Sequence, residues 1–316
     1  MDAALAARHR WRNLAQTLLL VGGMALLLAL SAELLFGAGV WPGVFAGVAL
    51  ALLFAPRVSP GWLLRLYAAR RLPPRLAPEL NAVVAELAGR ADLPALPALY
   101  WVPSRALNAF AVGRPDDAAI AVTDGLLRAL TLRELAGVLA HEVAHLRHDD
   151  LRLMMLADTV SRLTHLLSLL GRLLFLLSLP LLLVGLPLLS LGGLLLLVIA
   201  PTASALLQLA LSRTREFSAD LAAVELTGDP EGLASALARL EQAPDAWWQR
   251  VLFPGRREPN PSLLRTHPLT AERVERLLAL RATRPRPVLL PGGLTLHPEL
   301  RVEREPRRQP WFGVWR

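Results

Sequence analysis

Long apolar segments alternate with polar, charged segments along this chain. The apolar spans cover residues 14–36, residues 40–55 and a long block over residues 166–211. A membrane-crossing helix needs about 20 apolar residues, so the long block can hold two spans that are joined near Gly185 and Pro187. The pattern therefore predicts four transmembrane helices, arranged as two hairpins.

Arginines flank these spans and predict their orientation. Because cytoplasmic flanks of membrane helices are rich in basic residues, we expect the N-terminus and both polar segments to lie in the cytoplasm, with the chain in the cell (inner) membrane. The first span is too long for a signal-peptide core and is followed at once by a second span. The flanking arginines are Arg8, Arg10, Arg12, Arg57, Arg65, Arg70, Arg71, Arg75, Arg147, Arg152, Arg162, Arg213 and Arg215.

The polar segments are predicted to fold mainly as helices, with a small β-sheet. Alternating apolar residues bounded by turn-forming residues predict strands, and apolar positions spaced three or four apart predict helices. The predicted strands cover residues 99–102, 109–112 and 118–122, and the predicted helices cover 57–71 (amphipathic, at the membrane surface), 79–90 and 132–158.

Composition agrees with a membrane protein that has a substantial water-facing part. The chain has 316 residues, is 54% hydrophobic and has a mean hydropathy of +0.42. It has no cysteine, which excludes disulfides and thiolate metal ligands. The net charge is +8, but the basic residues flank the spans and form no aromatic-interleaved patch, so anionic lipid is a better partner than nucleic acid.

The polar segment before the long apolar block contains His141-Glu142-Val143-Ala144-His145, an H-E-x-x-H sequence within a helical pattern. Two histidines four residues apart lie on one helix face, so both can bind a single metal ion. Glu142 is then placed to take a proton from a water at that ion. The alternative interpretation is a surface helix that carries two unrelated histidines.

Zinc in a catalytic site needs a third protein ligand. His148, Asp149 and Asp150 lie a further turn along the same predicted helix and are out of reach of the metal. Glu216 and Asp220, four residues apart after the last span, are better candidates, with Glu216 on the metal and Asp220 hydrogen-bonded to one of the histidines. Alone, this pair is more typical of a solvated helix face.

Five ordered motifs together carry a family resemblance. The chain resembles the HtpX-type membrane zinc metalloproteases, which are relatives of the CAAX prenyl endopeptidases, over about residues 76–280. This resemblance implies a zincin-like (gluzincin) catalytic domain supported by four transmembrane helices. The motifs are Asn108-Ala109-Phe110-Ala111, Thr123-Asp124-Gly125-Leu126-Leu127, His141 to His145 followed by Asp150, Arg213 to Asp220, and Thr266-His267-Pro268.

The resemblance also implies roles for individual residues. One Zn²⁺ per chain would be held by His141, His145 and Glu216, with Glu142 as the general base. Asn108 and His267 match positions near the scissile bond, although Asn108 can equally be a turn residue and His267 can simply precede a helix. The implied substrate-binding edge strand consists of Ala109, Phe110, Ala111 and Val112.

These observations favour a membrane-embedded zinc endopeptidase that acts on protein or peptide substrates at the cytoplasmic side. The resemblance further implies a role in membrane-protein quality control. The expected parts are an N-terminal hairpin (1–56), two catalytic segments (57–162 and 212–285), a second hairpin (163–211) and a tail (286–316).

Three other classes explain less of the sequence. An intramembrane protease would bury the motif in a span, whereas charged residues surround it here. Four spans with a single intramembrane arginine, Arg172, offer little for the translocation path of a transporter. Arg172 itself either reaches the interface or marks a functional position. A catalytically idle membrane scaffold or adaptor remains, and the presence of every proposed catalytic residue argues against it.

Overall fold

The computed structural model describes residues 3–54, 60–180, 190–242 and 270–280. In this part of the chain the fold is mainly helical with one small mixed sheet, as the sequence predicts. The helices are α1 (Ala3–Phe36), α2 (Trp41–Phe54), α3 (Pro60–Leu66), α4 (Pro78–Arg90), α5 (Asp124–Ala129), α6 (Leu132–Arg147), α7 (Asp150–Leu177), α8 (Leu191–Thr227), α9 (Pro230–Gln242) and α10 (Thr270–Ala279). The strands are β1 (Arg70–Arg71), β2 (Ala98–Val102), β3 (Ala109–Arg114) and β4 (Asp117–Thr123).

Three helices in the described residues are long and apolar enough to cross a membrane. They lie in α1 (Leu14–Phe36), α7 and α8, and their packed faces share a small apolar core. Helix α2 has 14 residues and is about 21 Å long, less than the hydrocarbon thickness of about 30 Å. Four spans therefore stay a prediction, and the predicted turn at Gly185 and Pro187 lies outside the described residues.

The helix that carries the H-E-x-x-H motif is well delimited at both ends. Thr131 and Glu134 form a reciprocal capping box at the start of α6, and the helix ends at Arg147. Asp149 then adopts a left-handed conformation with φ of 52°, and α7 begins at Asp150. The prediction of one continuous helix over 132–158 is wrong, because this left-handed residue breaks the helix and lets α7 turn away from α6.

The sheet has the order β1-β2-β4-β3, in which β2 and β4 are parallel and the other pairs are antiparallel. Strands β2, β3 and β4 correspond to the three predicted strands. Side chains alternate along β3, so Ala109 and Ala111 join the main core, which α4 and α6 complete, while Phe110 and Val112 pack with Leu64 of α3. Strand β3 is thus an edge strand beside the motif helix.

The main core contains residues from both polar segments. Leu135 and Val143 of α6 pack in one cluster with Ala223 of α8, Leu233 of α9 and Leu277 of α10. The chain segments on either side of the α7 and α8 membrane helices therefore form a single packed core beside the motif.

The predicted amphipathic helix over 57–71 is shorter than expected, because α3 ends at Leu66 and the chain then enters β1.

Candidate metal centre

The two motif histidines point their Nε2 atoms at the same place. Their ring centroids are 4.6 Å apart, and Nε2 of His141 lies 3.1 Å from Nε2 of His145. Glu216 reaches this place from α8, with Oε2 3.3 Å from Nε2 of His141 and Oε1 3.6 Å from Nε2 of His145. One ligand atom from each of the three residues lies within 4.8 Å of the others. The fold therefore brings the three predicted ligands together.

A carboxylate holds the other ring nitrogen of each histidine. Nδ1 of His141 lies 3.0 Å from Oδ1 of Asp220, and Nδ1 of His145 lies 3.0 Å from Oδ2 of Asp150. A carboxylate on Nδ1 fixes the tautomer and turns the lone pair of Nε2 toward a metal. The contact between Asp220 and His141 agrees with the prediction, made from the spacing of Glu216 and Asp220, that Asp220 hydrogen-bonds one of the histidines. The contact of Asp150 with His145 was not predicted, because Asp150 was rejected as a metal ligand and otherwise only followed the H-E-x-x-H motif in the family resemblance.

The donor set fits a catalytic transition-metal site. Two imidazole nitrogens and one carboxylate oxygen are three protein ligands of the kind that zinc accepts, and they leave a fourth position open. His141 and Glu216 are each 6% exposed, so bulk water competes little for their donor atoms. The residues present are therefore suited to a metal ion without rearrangement of the backbone.

Arg273 of α10 completes the charge balance of the site, although nothing in its sequence context indicated this role. Its guanidinium donates to both oxygens of Asp220, at 2.7 and 2.6 Å, and Nη1 lies 3.0 Å from Oε2 of Glu216. It is 4% exposed. In the sequence, Arg273 lies in a strongly amphipathic helix rich in charged residues, which is typical of a solvated surface. Only the fold shows that it points inward.

The buried carboxylates change the proton affinity of His141. Burial by itself disfavours the imidazolium, but hydrogen bonds to Asp220 and then Glu216 outweigh it and raise the pKa of His141 to about 10. In the metal-free protein at neutral pH this imidazole is therefore protonated. A metal ion that takes Nε2 must displace that proton.

We expect zinc affinity to rise with pH as a result. Between about pH 7 and 9, below the raised pKa of His141, each bound zinc releases one proton, so the association constant increases about tenfold per pH unit. Above about pH 10 the dependence on this group ends. Competition against a chelator of known pH dependence measures it. The variant His148→Gln, which removes an exposed histidine outside the site, should keep the same slope, and a flat profile in the wild type would contradict the prediction.

Glu142 lies on the same helix, buried, and contacts the edge strand. Its Oε2 accepts the backbone N–H of Ala111 at 2.8 Å. That N–H therefore points away from β4, and because inward and outward groups alternate along an antiparallel strand, the backbone groups of Ala109 and Gly113 also point outward. The motif glutamate thus lies beside a strand edge that can accept another chain.

The structure gives partial information on the two remaining predicted residues. Asn108 precedes β3 and is held by its backbone, whose N–H donates to Oγ1 of Thr123 at 3.0 Å and whose carbonyl accepts the N–H of Thr123 at 3.0 Å. This places Asn108 at the end of the edge strand. His267 lies outside the described residues.

Comparison with known proteins identifies the family. The description "Peptidase family M48" matches residues 74–281, a span that includes the proposed ligands, Glu142 and Arg273. The chain belongs to peptidase family M48. With three long apolar helices in the part of the chain that the structure describes, it is a membrane protein of this metallopeptidase family, in agreement with the resemblance seen in the sequence.

Relatives of this M48 protein share most of its length. It is 42% identical over 269 residues to "Protease HtpX homolog" from Acaryochloris marina, covering 81% of this chain and 90% of that protein. It is 34% identical over 276 residues to "Protease HtpX homolog" from Methylibium petroleiphilum, covering 81% and 96%. Among solved structures, S. mikatae Ste24p is similar with a TM-score of 0.44 and 21% identity, covering 87% of this chain and 66% of that one.

Proposed function

We propose that this M48 protein is a zinc-dependent endopeptidase that cleaves protein or peptide substrates in an extended conformation. The observation that carries the proposal is the position of Glu142. This residue lies on the helix that supplies His141 and His145, and its carboxylate contacts the edge strand at Ala111. A potential general base is thereby held between a three-donor metal site and a strand edge that can bind a peptide.

The chain's own residues supply the following chemistry. His141, His145 and Glu216 would hold one Zn²⁺, with Asp220 and Asp150 fixing the two imidazoles. A zinc ion in such a site lowers the pKa of water and polarises a carbonyl. Glu142 takes the proton from the attacking water and returns it to the leaving amine.

The edge strand β3 determines how the substrate lies. An extended peptide adds to β3 as a further strand and forms hydrogen bonds with the outward backbone groups of Ala109 and Gly113. Because Ala111 already donates to Glu142, the register of that added strand determines which peptide carbonyl comes next to the base. The proposed substrate strand is Ala109, Phe110, Ala111 and Val112, with Asn108 and His267 near the scissile bond.

We assign the active site to the cytoplasmic side of the cell (inner) membrane. The arginines around the spans support this orientation, and it requires that α2 crosses the membrane as the fourth span. Because β-addition recognises main chain rather than folded surfaces, unfolded segments of membrane proteins are suitable substrates, which supports a role in quality control. A metal-binding scaffold without activity is the alternative.

Zinc content and cleavage, measured together on the full chain, test the proposal. Protein purified in detergent should contain about one zinc per chain and cleave casein or itself. Chelation should remove both properties, and added zinc should restore both. Protein that holds zinc but cleaves neither substrate would favour the scaffold, and protein that binds no zinc would overturn the site.

A further inference from the structure

A polar network connects the membrane helices to the metal centre. It consists of Thr17 of α1, Arg215 of α8, Asp150 of α7 and the proposed ligand His145. Arg215 donates to Oγ1 of Thr17 at 2.5 Å and lies 3.4 Å from Oδ1 of Asp150. The other oxygen of Asp150 is the one that contacts Nδ1 of His145, at 3.0 Å. A chain of side-chain contacts therefore links three membrane helices to one histidine.

The network lies where the membrane helices begin or end their apolar parts. Thr17 is in the first turn of the apolar part of α1, and Asp150 is the first residue of α7. The side chain of Asp150 is 2% exposed and that of Arg215 is 13% exposed. Charged groups at the edge of a bilayer are costly to bury, so a buried pair here is better explained by a role in the site than by stability alone.

In this network the position of each side chain depends on its neighbour, from Thr17 through Arg215 to Asp150. Asp150 has two oxygens with different tasks, since Oδ1 contacts Arg215 while Oδ2 contacts His145. The orientation of this carboxylate therefore depends on where the guanidinium lies. The guanidinium is in turn held by Thr17, which belongs to a helix that supplies none of the three proposed ligands His141, His145 and Glu216.

We propose that Thr17, Arg215 and Asp150 are positioning residues that hold His145 in its metal-binding orientation. Through them, the packing of α1 against α7 and α8 sets the zinc affinity of the catalytic domain. The inference rests on the proposed function in one respect, namely that His145 binds zinc. Loss of a partner that orients a metal-binding histidine weakens metal affinity by about 10- to 100-fold, which is the effect expected for Asp150→Asn.

The decisive variant is Thr17→Val, because it removes one hydroxyl at the far end of the network and keeps the side-chain shape. We expect it to weaken zinc binding roughly threefold to tenfold, less than the direct partner Asp150. Thr17→Ser keeps the hydroxyl and should restore wild-type affinity. Zn²⁺ affinity of the full chain in detergent is measured by competition with a chelator, together with the thermal midpoint. Thr17→Ala serves as a second variant if Thr17→Val does not fold.

Ser31→Ala is the matched control on the same helix. The hydroxyl of Ser31 is buried and donates to the carbonyl of Leu27 within α1, 14 positions along the chain from Thr17. It should leave zinc affinity unchanged. If Thr17→Val and Ser31→Ala shift zinc affinity equally, the inference is wrong.

A double variant separates the network from an indirect effect. Because Thr17 acts through Asp150, Thr17→Val should have little further effect on zinc affinity when Asp150→Asn is present. Equal effects of Thr17→Val in both backgrounds would overturn the inference while leaving the proposed function intact. A wild-type chain that binds no zinc would overturn both.

Discussion

Glu142→Gln should abolish nearly all peptide cleavage while leaving zinc bound. The amide has the same shape as the carboxylate but cannot take up a proton, and loss of a general base costs about 10²- to 10⁴-fold in kcat. Glu142 is not among the three converging metal donors, so zinc content should stay the same. The amide oxygen can still accept the N–H of Ala111, which keeps the base beside the edge strand. Cleavage rate and zinc content of the same preparation measure both expectations.

Glu225→Gln is the matched control for that experiment. Glu225 is an exposed residue of α8, the helix that supplies Glu216. The variant therefore makes the same chemical change at a position outside the site. The control should cleave at the wild-type rate. A Glu142→Gln variant that also cleaves at the wild-type rate would show that another group serves as the base. One that loses its zinc would show that Glu142 supports the metal.

The elements of the fold were largely predictable where short-range patterns determine them. Strands β2, β3 and β4 follow from apolar runs bounded by turns, and α4 (Pro78–Arg90) begins one residue before the helix predicted over 79–90. The break between α6 and α7 was not predictable in the same way. Its cause is the backbone conformation of Asp149, and the apolar periodicity continues on both sides of it.

The site was predictable to the extent that its residues are close in sequence. The spacing of His141, Glu142 and His145 alone places them on one helix, and Glu216 and Asp220 share a face for the same reason. The contact of Asp150 with His145 and the role of Arg273 were missed because both depend on tertiary structure. Asp150 reaches His145 only through the turn at Asp149, and Arg273 comes from α10.

Arg273→Met should strongly destabilise the metal-free protein. The substitution leaves Asp220 and Glu216 buried without the cation that now lies within 3.0 Å of each. Removal of one partner from a buried ion pair costs about 3–5 kcal/mol, or a fall of roughly 6–20 °C in the unfolding midpoint. Zinc should recover part of this loss, because it places a positive charge next to Glu216. Thermal unfolding with and without added zinc measures both the loss of stability and its partial recovery.

Arg276→Met, on the same helix, is the matched control for Arg273→Met. Arg276 has a side chain that is 59% exposed, donates to Glu272 at 2.9 Å and lies over the ring of Phe217. Exposed pairs of this kind contribute less than about 1 kcal/mol, so its midpoint should fall only slightly. Equal falls for the two variants would show that Arg273 only fills space in α10. A large fall in the midpoint for Arg273→Met alone, made smaller by zinc, would show that the charge of Arg273 in α10 compensates the buried carboxylates of α8 at the metal centre.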